Sequence, residues 1–215
     1  MRYCIALLTA IWACSAQALS VGDMTYFMNA RQDYLVREVV NDSDRTRVYS
    51  VSVVESAPPY GDAKTWKPKG GDLMYAPKQL VLRPGQSGWL RLYYKGKNDD
   101  TPRFFQVIYR EERAVAMEVD AVAVKPRLSL QTVLVVQPRQ PRQFHRLDGA
   151  RLINDGNTVM LATARGACAI AQHCMTDRYL APGESLELGE FEQKRESVRV
   201  VLANGAEMEE FEITW

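Results

Sequence analysis

The sequence predicts an all-β protein of the sandwich type, and three observations support that fold class. About seven or eight segments before residue 138 alternate apolar and polar side chains, as half-buried strands do. Clusters of Gly, Pro, Asn and Asp separate these segments at the spacing that is typical of a β-sandwich. No segment keeps a helical period over three turns, so helices are expected to contribute little.

Residues 1–18 have the pattern of a secretory signal peptide. An apolar run at 4–13 follows a positively charged start, and 16–18 (AQA) places small residues where signal peptidase cleaves. We expect cleavage after Ala18, which leaves 215 − 18 = 197 residues. An acylated lipoprotein is the alternative, although Cys14 lies in a poor lipobox. No later apolar run approaches the ~20 residues that span a bilayer, so the mature protein is expected not to be membrane-embedded.

The first part of the mature chain is read as a series of strands separated by polar turns. In chain order the predicted strands are 34–40 (YLVREVV), 47–54 (RVYSVSVV), 79–83 (QLVLR), 89–96 (WLRLYYKG), 103–112 (RFFQVIYREE), 115–124 (VAMEVDAVAV) and 128–136 (LSLQTVLVV). The tract 115–136 is unusually apolar and contains one proline. A proline is tolerated at a sheet edge or a bulge. The tract is therefore either a kinked central strand or an edge strand available to a partner chain.

The stretch 137–142 (QPRQPR) separates this series from a second one. Each proline fixes its own φ and extends the residue before it, so the stretch is a stiff connector. The strands predicted beyond it are 150–153 (ARLI), 158–164 (TVMLATA), 185–191 (SLELGEF), 196–202 (ESVRVVL) and 207–215 (EMEEFEITW). Asp155-Gly156 and Asn204-Gly205 are dipeptides that favour hairpin turns.

Two cysteines remain after removal of the signal peptide, Cys168 and Cys174. In an oxidising compartment they are most simply a disulfide, which would staple a small second domain. The alternative is a metal site formed by both cysteines and His173, although three crowded ligands lack a fourth nearby.

Charge and motifs favour a binding protein over an enzyme. Loss of Arg2 leaves 27 − 1 = 26 basic side chains against 26 acidic ones, so nothing favours nucleic acid as a partner. The two histidines lie near no nucleophile motif, and the chain has no phosphate loop, no dinucleotide fingerprint and no zinc-protease motif. We therefore expect no catalytic residue, no metal and no cofactor.

Several stretches span nearly the whole mature chain in order: 21–30 (VGDMTYFMNA), 39–53 (VVNDSDRTRVYSVSV), 70–96 (GGDLMYAPKQLVLRPGQSGWLRLYYKG), 103–111 (RFFQVIYRE), 132–140 (TVLVVQPRQ), 152–158 (LINDGNT) and 179–188 (YLAPGESLEL). Together they resemble the periplasmic chaperones of chaperone–usher pilus assembly, in the alternate-class branch that serves common-pilus-type fimbriae. The cysteine pair fits as well.

The resemblance implies two immunoglobulin-like domains in a PapD-like boomerang, with a cleft between them. The domains would be 19–138 and 143–215, joined by a proline-containing hinge at 139–142. It also implies a periplasmic chaperone that stabilises pilus subunits by donor-strand complementation and delivers them to an outer-membrane usher. A structural pilus subunit or adhesin-like sandwich is the alternative function. The free protein could cap its own edge by dimerising.

Two sets of site residues follow from this resemblance. The donated face is assigned to Leu128, Leu130, Thr132, Leu134 and Val136, with the surest part near the first two; a slip of one residue would exchange it for the opposite face. The family binds the subunit's C-terminal carboxylate with two basic residues; its strand lysine falls at or near Val133 here, and its first-strand arginine has no counterpart in 21–28. The candidates are Arg37, Lys125, Arg127 and Arg139, with Arg37 first because it interrupts an apolar strand.

Overall fold

The computed structural model describes residues 19–58, 72–97, 100–112, 128–168, 173–192, 197–205 and 207–214. Within them the first series contains nine strands: β1 Leu19–Ser20, β2 Thr25–Met28, β3 Tyr34–Asn41, β4 Arg47–Ser56, β5 Leu73–Ala76, β6 Gln79–Leu82, β7 Ser87–Tyr94, β8 Arg103–Glu111 and β9 Ser129–Val136. The second series contains seven strands and a short helix: β10 His145–Asp148, β11 Arg151–Asn154, β12 Met160–Gly166, β13 Cys174–Leu180, β14 Ser185–Glu187, α1 Gly189–Glu192, β15 Val198–Ala203 and β16 Met208–Ile213.

The first series forms two sheets around one core. One sheet has the order β1-β3-β7-β5 and the other has the order β2-β9-β8-β4-β6. Strand β7 shows why the sequence folds this way, because its buried Leu90 and Leu92 alternate with the exposed Trp89 and Tyr93. The inward side chains of both sheets, among them Val107 and Leu134, make a single apolar cluster.

The second series repeats the arrangement on a smaller scale. Its sheets have the orders β10-β11-β14 and β13-β12-β15-β16. Their inner faces enclose a separate apolar cluster that includes Met160, Leu180 and Phe191. Residues 137–144, between the two series, belong to no strand. The predicted domain limits at 138 and 143 agree with this layout and stay predictions.

The structure corrects the sequence prediction at four places in the second series, the first of which is the unpredicted strand β10, His145–Asp148. The segment 185–191 is a strand only to Glu187, and Gly189–Glu192 is helical. Asp155-Gly156 does not close a hairpin, because β11 and β12 lie in different sheets. The N–H groups of Asp155 and Gly156 instead donate to the Phe144 carbonyl. Strand β13 was not predicted, since its alternation is weak beside the cysteine loop. The Asn204-Gly205 hairpin between β15 and β16 is confirmed.

Candidate functional site

Strand β9 has two partners of unequal length. It pairs with β8 in antiparallel fashion along its whole length, from Ser129 to Val136. It pairs with β2 in parallel fashion only over Val133–Val136. The first four residues of β9 therefore have a neighbouring strand on one side alone among the described strands.

Hydrogen bonds on both sides show where each main-chain group of β9 points. The N–H of Glu111, just across on β8, donates to the Leu128 carbonyl at 2.9 Å, whereas the N–H of Val133 donates to the Met24 carbonyl at 2.7 Å on the other side. These directions alternate along a strand. The main-chain N–H and C=O groups of even-numbered β9 residues therefore point toward β8, and those of odd-numbered residues point toward the side of β2.

Ser129 and Gln131 consequently direct their N–H and C=O groups to the side where no described strand pairs. We call this side of Ser129–Thr132 the open edge. Unpaired main-chain groups of an edge strand are a template for another chain.

The predicted donated face of β9 divides into two parts. Leu128 and Leu130 are half-buried and pack against the margin of the first core. Thr132, Leu134 and Val136 are buried within the same domain. On the opposite face Ser129 and Gln131 are exposed, whereas Val133 and Val135 pack against the second domain. Only the first two leucines of the predicted face are thus at the surface beside the open edge.

A buried polar cluster lies under the end of the open edge. The Thr132 hydroxyl donates to the Tyr26 hydroxyl at 3.4 Å, and the Arg37 guanidinium lies 4.4 Å over the Tyr26 ring. Burial raises the pKa of Tyr26, against smaller opposing effects of the Thr132 hydrogen bond and the Arg37 charge. Burial is also the main cause that raises the pKa of Tyr109, on the neighbouring strand β8. Both phenols are therefore neutral near pH 7.

Two of the four predicted carboxylate ligands can be located, and each already contacts the main chain. Arg37 donates from Nη2 to the carbonyl of Val21 at 3.0 Å and to that of Asp23 at 3.4 Å. Its Nε is buried and has no hydrogen-bond partner within the described ranges. Lys125 and Arg127 lie outside the described residues.

Arg139 makes a similar set of contacts after β9. Its Nη1 donates to the carbonyls of Ala30 at 2.9 Å and Gln32 at 2.8 Å, and its guanidinium lies 5.6 Å over the Tyr94 ring. Ala30 and Gln32 also line a cleft of about 570 Å³ between the two domains, together with residues such as Gln143 of the second domain. A second depression of about 910 Å³ includes Leu130 beside the open edge.

Cys168 and Cys174 form a disulfide, as the sequence predicts, so the metal alternative at this loop is wrong. The bond joins the end of β12 to the start of β13 and is adjacent to the Gly166–Cys174 strand pair. No cluster of three or more His, Cys, Asp or Glu side chains that could hold a metal occurs within the described ranges.

Sequence reasoning did not identify the role of β2, which decides how much of β9 is covered. Its four residues alternate between half-buried and buried, but four positions are too few to separate a strand from a loop. Tyr26 and Thr132 were not singled out as a pair either, since they are 106 residues apart and no local pattern connects them.

Sequence comparison relates the chain to fimbrial chaperones. Over 199 residues it is 30% identical to a protein of Escherichia coli (strain K12) described as probable fimbrial chaperone EcpE, and the match covers 87% of this chain and 84% of that protein. Over 198 residues it is 27% identical to probable fimbrial chaperone EcpB of Escherichia coli O139:H28 (strain E24377A / ETEC), with 88% of this chain and 89% of that protein covered. No family model matches the chain.

Solved structures show the same fold. The CupB2 chaperone of Pseudomonas aeruginosa superimposes with a TM-score of 0.61 at 12% identity and covers 91% of this chain and 99% of its own. A chain of the Salmonella enterica SafA pilin in complex with the SafB chaperone gives a TM-score of 0.61 at 13% identity, with 94% and 99% covered. The predicted all-β fold of two immunoglobulin-like domains is confirmed. The part of the chain that the structure describes contains no helix long and apolar enough to cross a bilayer.

Proposed function

The chain belongs to the family of fimbrial chaperones of the chaperone–usher pathway, and we propose that it stabilises pilus subunits by lending them the open edge of β9. The observation that carries this proposal is the partial pairing of β9, whose residues Ser129–Thr132 lack a second neighbouring strand among the described ones. The proposed action is binding without a chemical step, and it requires no cofactor.

The physical basis is strand addition. An extended segment of a subunit would pair with the main chain at Ser129 and Gln131, which gives affinity that depends little on sequence. Leu128 and Leu130 would extend the apolar surface into the subunit, at about 25 cal/mol for each Å² of apolar area buried. The alternative function, a pilus subunit, needs a free N-terminal extension. The first described strands instead pair internally, with β3 and β9.

Co-expression with a candidate pilus subunit tests the donated face. Leu128→Arg and Leu130→Arg are expected to lower the affinity for the subunit on the order of 10-fold or more, because a charge replaces partly buried apolar surface. Gln131→Arg is the matched control on the exposed face of the same strand and is expected to retain binding. Thermal unfolding would verify that each variant is folded. If Gln131→Arg abolished binding while Leu130→Arg did not, the opposite face would be the donated one.

The subunit's C-terminal carboxylate is proposed to bind one of the four basic candidates, Arg37, Lys125, Arg127 and Arg139. Arg37 remains the first choice, because it is the basic residue inside the otherwise apolar run 34–40 and a charge-assisted hydrogen bond is short and directional. Each residue would be changed to Met in a separate variant. The affinity of each variant would be measured for a subunit with a free C-terminal carboxylate and for the same subunit with an amidated C-terminus.

Substitution of the anchoring residue is expected to lower the affinity for the subunit with a free carboxylate about 10- to 100-fold. The same substitution should lower the affinity for the amidated subunit much less. Equal losses for both subunits would exclude the substituted residue as the anchor. The comparison separates anchoring from any effect of the substitution on folding, because folding affects both subunits alike.

The proposed location is the periplasm, reached by export with a signal peptide that is cleaved after Ala18, and the proposed partners are pilus subunits and an outer-membrane usher. The free protein is expected to cover its open edge by dimerising. Protein purified from a periplasmic extract should begin at Leu19 and sediment as a dimer. A chain that begins at Met1 would contradict the cleavage, and a monomer at high concentration would contradict the dimer.

A further inference from the structure

The length of the open edge depends on where β2 begins. Thr25 pairs with Val133, so the offset between the strands is 133 − 25 = 108 residues. Continued toward the N-terminus, the same register would place 21–24 beside 129–132 and would cover the whole open edge. The chain instead leaves β9 at this point, and Leu19–Ser20 pairs with β3 in the other sheet.

Arg37 contacts the chain where it leaves β9. Its Nη2 donates to the carbonyls of Val21 and Asp23, on either side of Gly22. Gly22 has φ +70°, and a Cβ there would lie 3.1 Å from Nη2. A side chain at this position would therefore be strained and would press on the guanidinium. The same guanidinium stacks on Tyr26, inside β2.

Arg139 contacts the chain just after β2 ends. Its Nη1 donates to the carbonyls of Ala30 and Gln32. Each end of β2 is therefore held by one guanidinium that binds two carbonyl oxygens and lies over a tyrosine ring. A planar guanidinium can make such divergent contacts, whereas a lysine ammonium lacks both the fork and the flat face.

We propose that Arg37 and Arg139 fix the two ends of β2, and that Arg37 sets the length of the open edge by holding residues 21–23 away from β9. The proposal deepens the proposed function and rests on it, because the open edge is the surface that a subunit strand would occupy. The occupant is an extended segment of the subunit that pairs with Ser129–Thr132 and meets the start of β2 beyond it.

Hydrogen exchange of single amides in the full free protein tests the two contacts separately. The Val133 N–H is bonded to the Met24 carbonyl at the start of β2, and the Gln137 N–H to the Met28 carbonyl at its end. Arg37→Met is expected to speed exchange at Val133 about 10-fold and to leave Gln137 unchanged. Arg139→Met is expected to do the reverse. The amide of Val107, in the buried middle of β8, is the reference for general destabilisation.

Gly22→Ala gives an independent variant that keeps both arginines. Gly22→Ala is expected to speed exchange at Val133, as Arg37→Met does. It can therefore test the proposal even if Arg37→Met does not fold. Unchanged exchange at Val133 in both variants would overturn the proposal, as would an equal increase at Val133, Gln137 and Val107.

The same measurement on the wild-type complex with a subunit tests the proposed function itself. Relative to free protein diluted until it is monomeric, the amides of Ser129 and Gln131 should gain protection on binding, and Val133 should already be protected in the free monomer. If Ser129 and Gln131 gained none, the donor edge would be wrong while the reciprocal effects on Val133 and Gln137 could still hold. The two failures are therefore distinguishable.

Discussion

Tyr26 and Tyr109 are buried phenols on β2 and β8, the two strands that flank the strand that we propose to be lent. Both point toward Thr132, which lies at the end of the open edge, and Thr132 hydrogen bonds lower their pKa values against the larger opposite effect of burial. A charged phenolate in this place would lose its hydration without an adequate partner. The cluster is therefore more stable while both hydroxyls keep their protons.

This dependence predicts a loss of stability in alkali. The folded-state pKa values of both tyrosines lie above the ~10 of an exposed tyrosine. The stabilising contribution is therefore complete below pH ~10 and is lost as the pH rises through the range between the unfolded and folded values. Urea unfolding measured from about pH 8 to about pH 11 should show a free energy of unfolding that falls as the pH rises. The slope of this free energy against pH should be smaller in Tyr109→Phe. Tyr34→Phe, at a tyrosine that is 46% exposed, is the matched control; an unchanged slope in Tyr109→Phe would contradict the prediction.

Each domain also contains one buried asparagine that joins its two sheets. The Asn41 side chain donates to the Leu82 carbonyl at 2.9 Å, and the Asn154 side chain donates to the Leu180 carbonyl at 3.0 Å. Both lie in Asn-Asp sequences at the point where the chain passes from one sheet to the other. A buried amide left without these partners would be costly, so the same residue type serves both crossings.

Edge strands differ in whether charges protect them. Strand β16 is an edge of its sheet and carries Glu209, Glu210 and Glu212. Charges of this kind discourage pairing with another chain. The open edge of β9 carries only Ser129 and Gln131 on its exposed face and no charged side chain from 129 to 132. Charges therefore protect β16 and are missing from the open edge of β9, which supports the proposal that this edge is available to a partner.

The strand pair β12–β13 depends on a covalent link at its end. The disulfide between Cys168 and Cys174 closes a short loop with a sequence separation of 6. The chain-entropy relation gives about 2 kcal/mol of stabilisation for a loop of this length. Replacing both cysteines with alanine is expected to lower the free energy of unfolding of the second domain by about that amount. Urea unfolding of wild-type protein in dithiothreitol should match the double variant, and equal stability of oxidised and reduced protein would contradict the prediction.

Gln137, the residue that follows β9, makes contacts that place the two domains relative to each other. The Gln137 side chain donates to the Val159 carbonyl at 2.7 Å and accepts the Val159 N–H at 3.0 Å. Beside it, Phe27 packs against Tyr179 at 6.2 Å between ring centroids, and a Cβ on Gly205 would approach Phe27 to 2.7 Å. The end of β9 is therefore buried between the domains, while its start remains at the surface.

Much of the fold could be predicted from the sequence because alternation is a local signal. Strands such as β3, β7 and β8 follow it closely, and the stiff connector and the disulfide follow from proline and cysteine chemistry. The sheet to which a strand belongs, by contrast, does not follow from the sequence near that strand. Asp155-Gly156 resembles a hairpin turn, yet it crosses between sheets because β11 pairs with β14 and β12 pairs with β15. The helix Gly189–Glu192 likewise replaces the end of a predicted strand.

The candidate site divides in the same way. The sequence by itself determined that the even-numbered residues of β9 form one apolar face, because the period of a strand is two. Only the tertiary structure decided that Leu128 and Leu130 of this face reach the surface while Leu134 and Val136 are enclosed. The reason is that Leu134 and Val136 lie inside the core between the two sheets, whereas Leu128 and Leu130 only pack against its margin, and this core is assembled from residues that are distant in the chain.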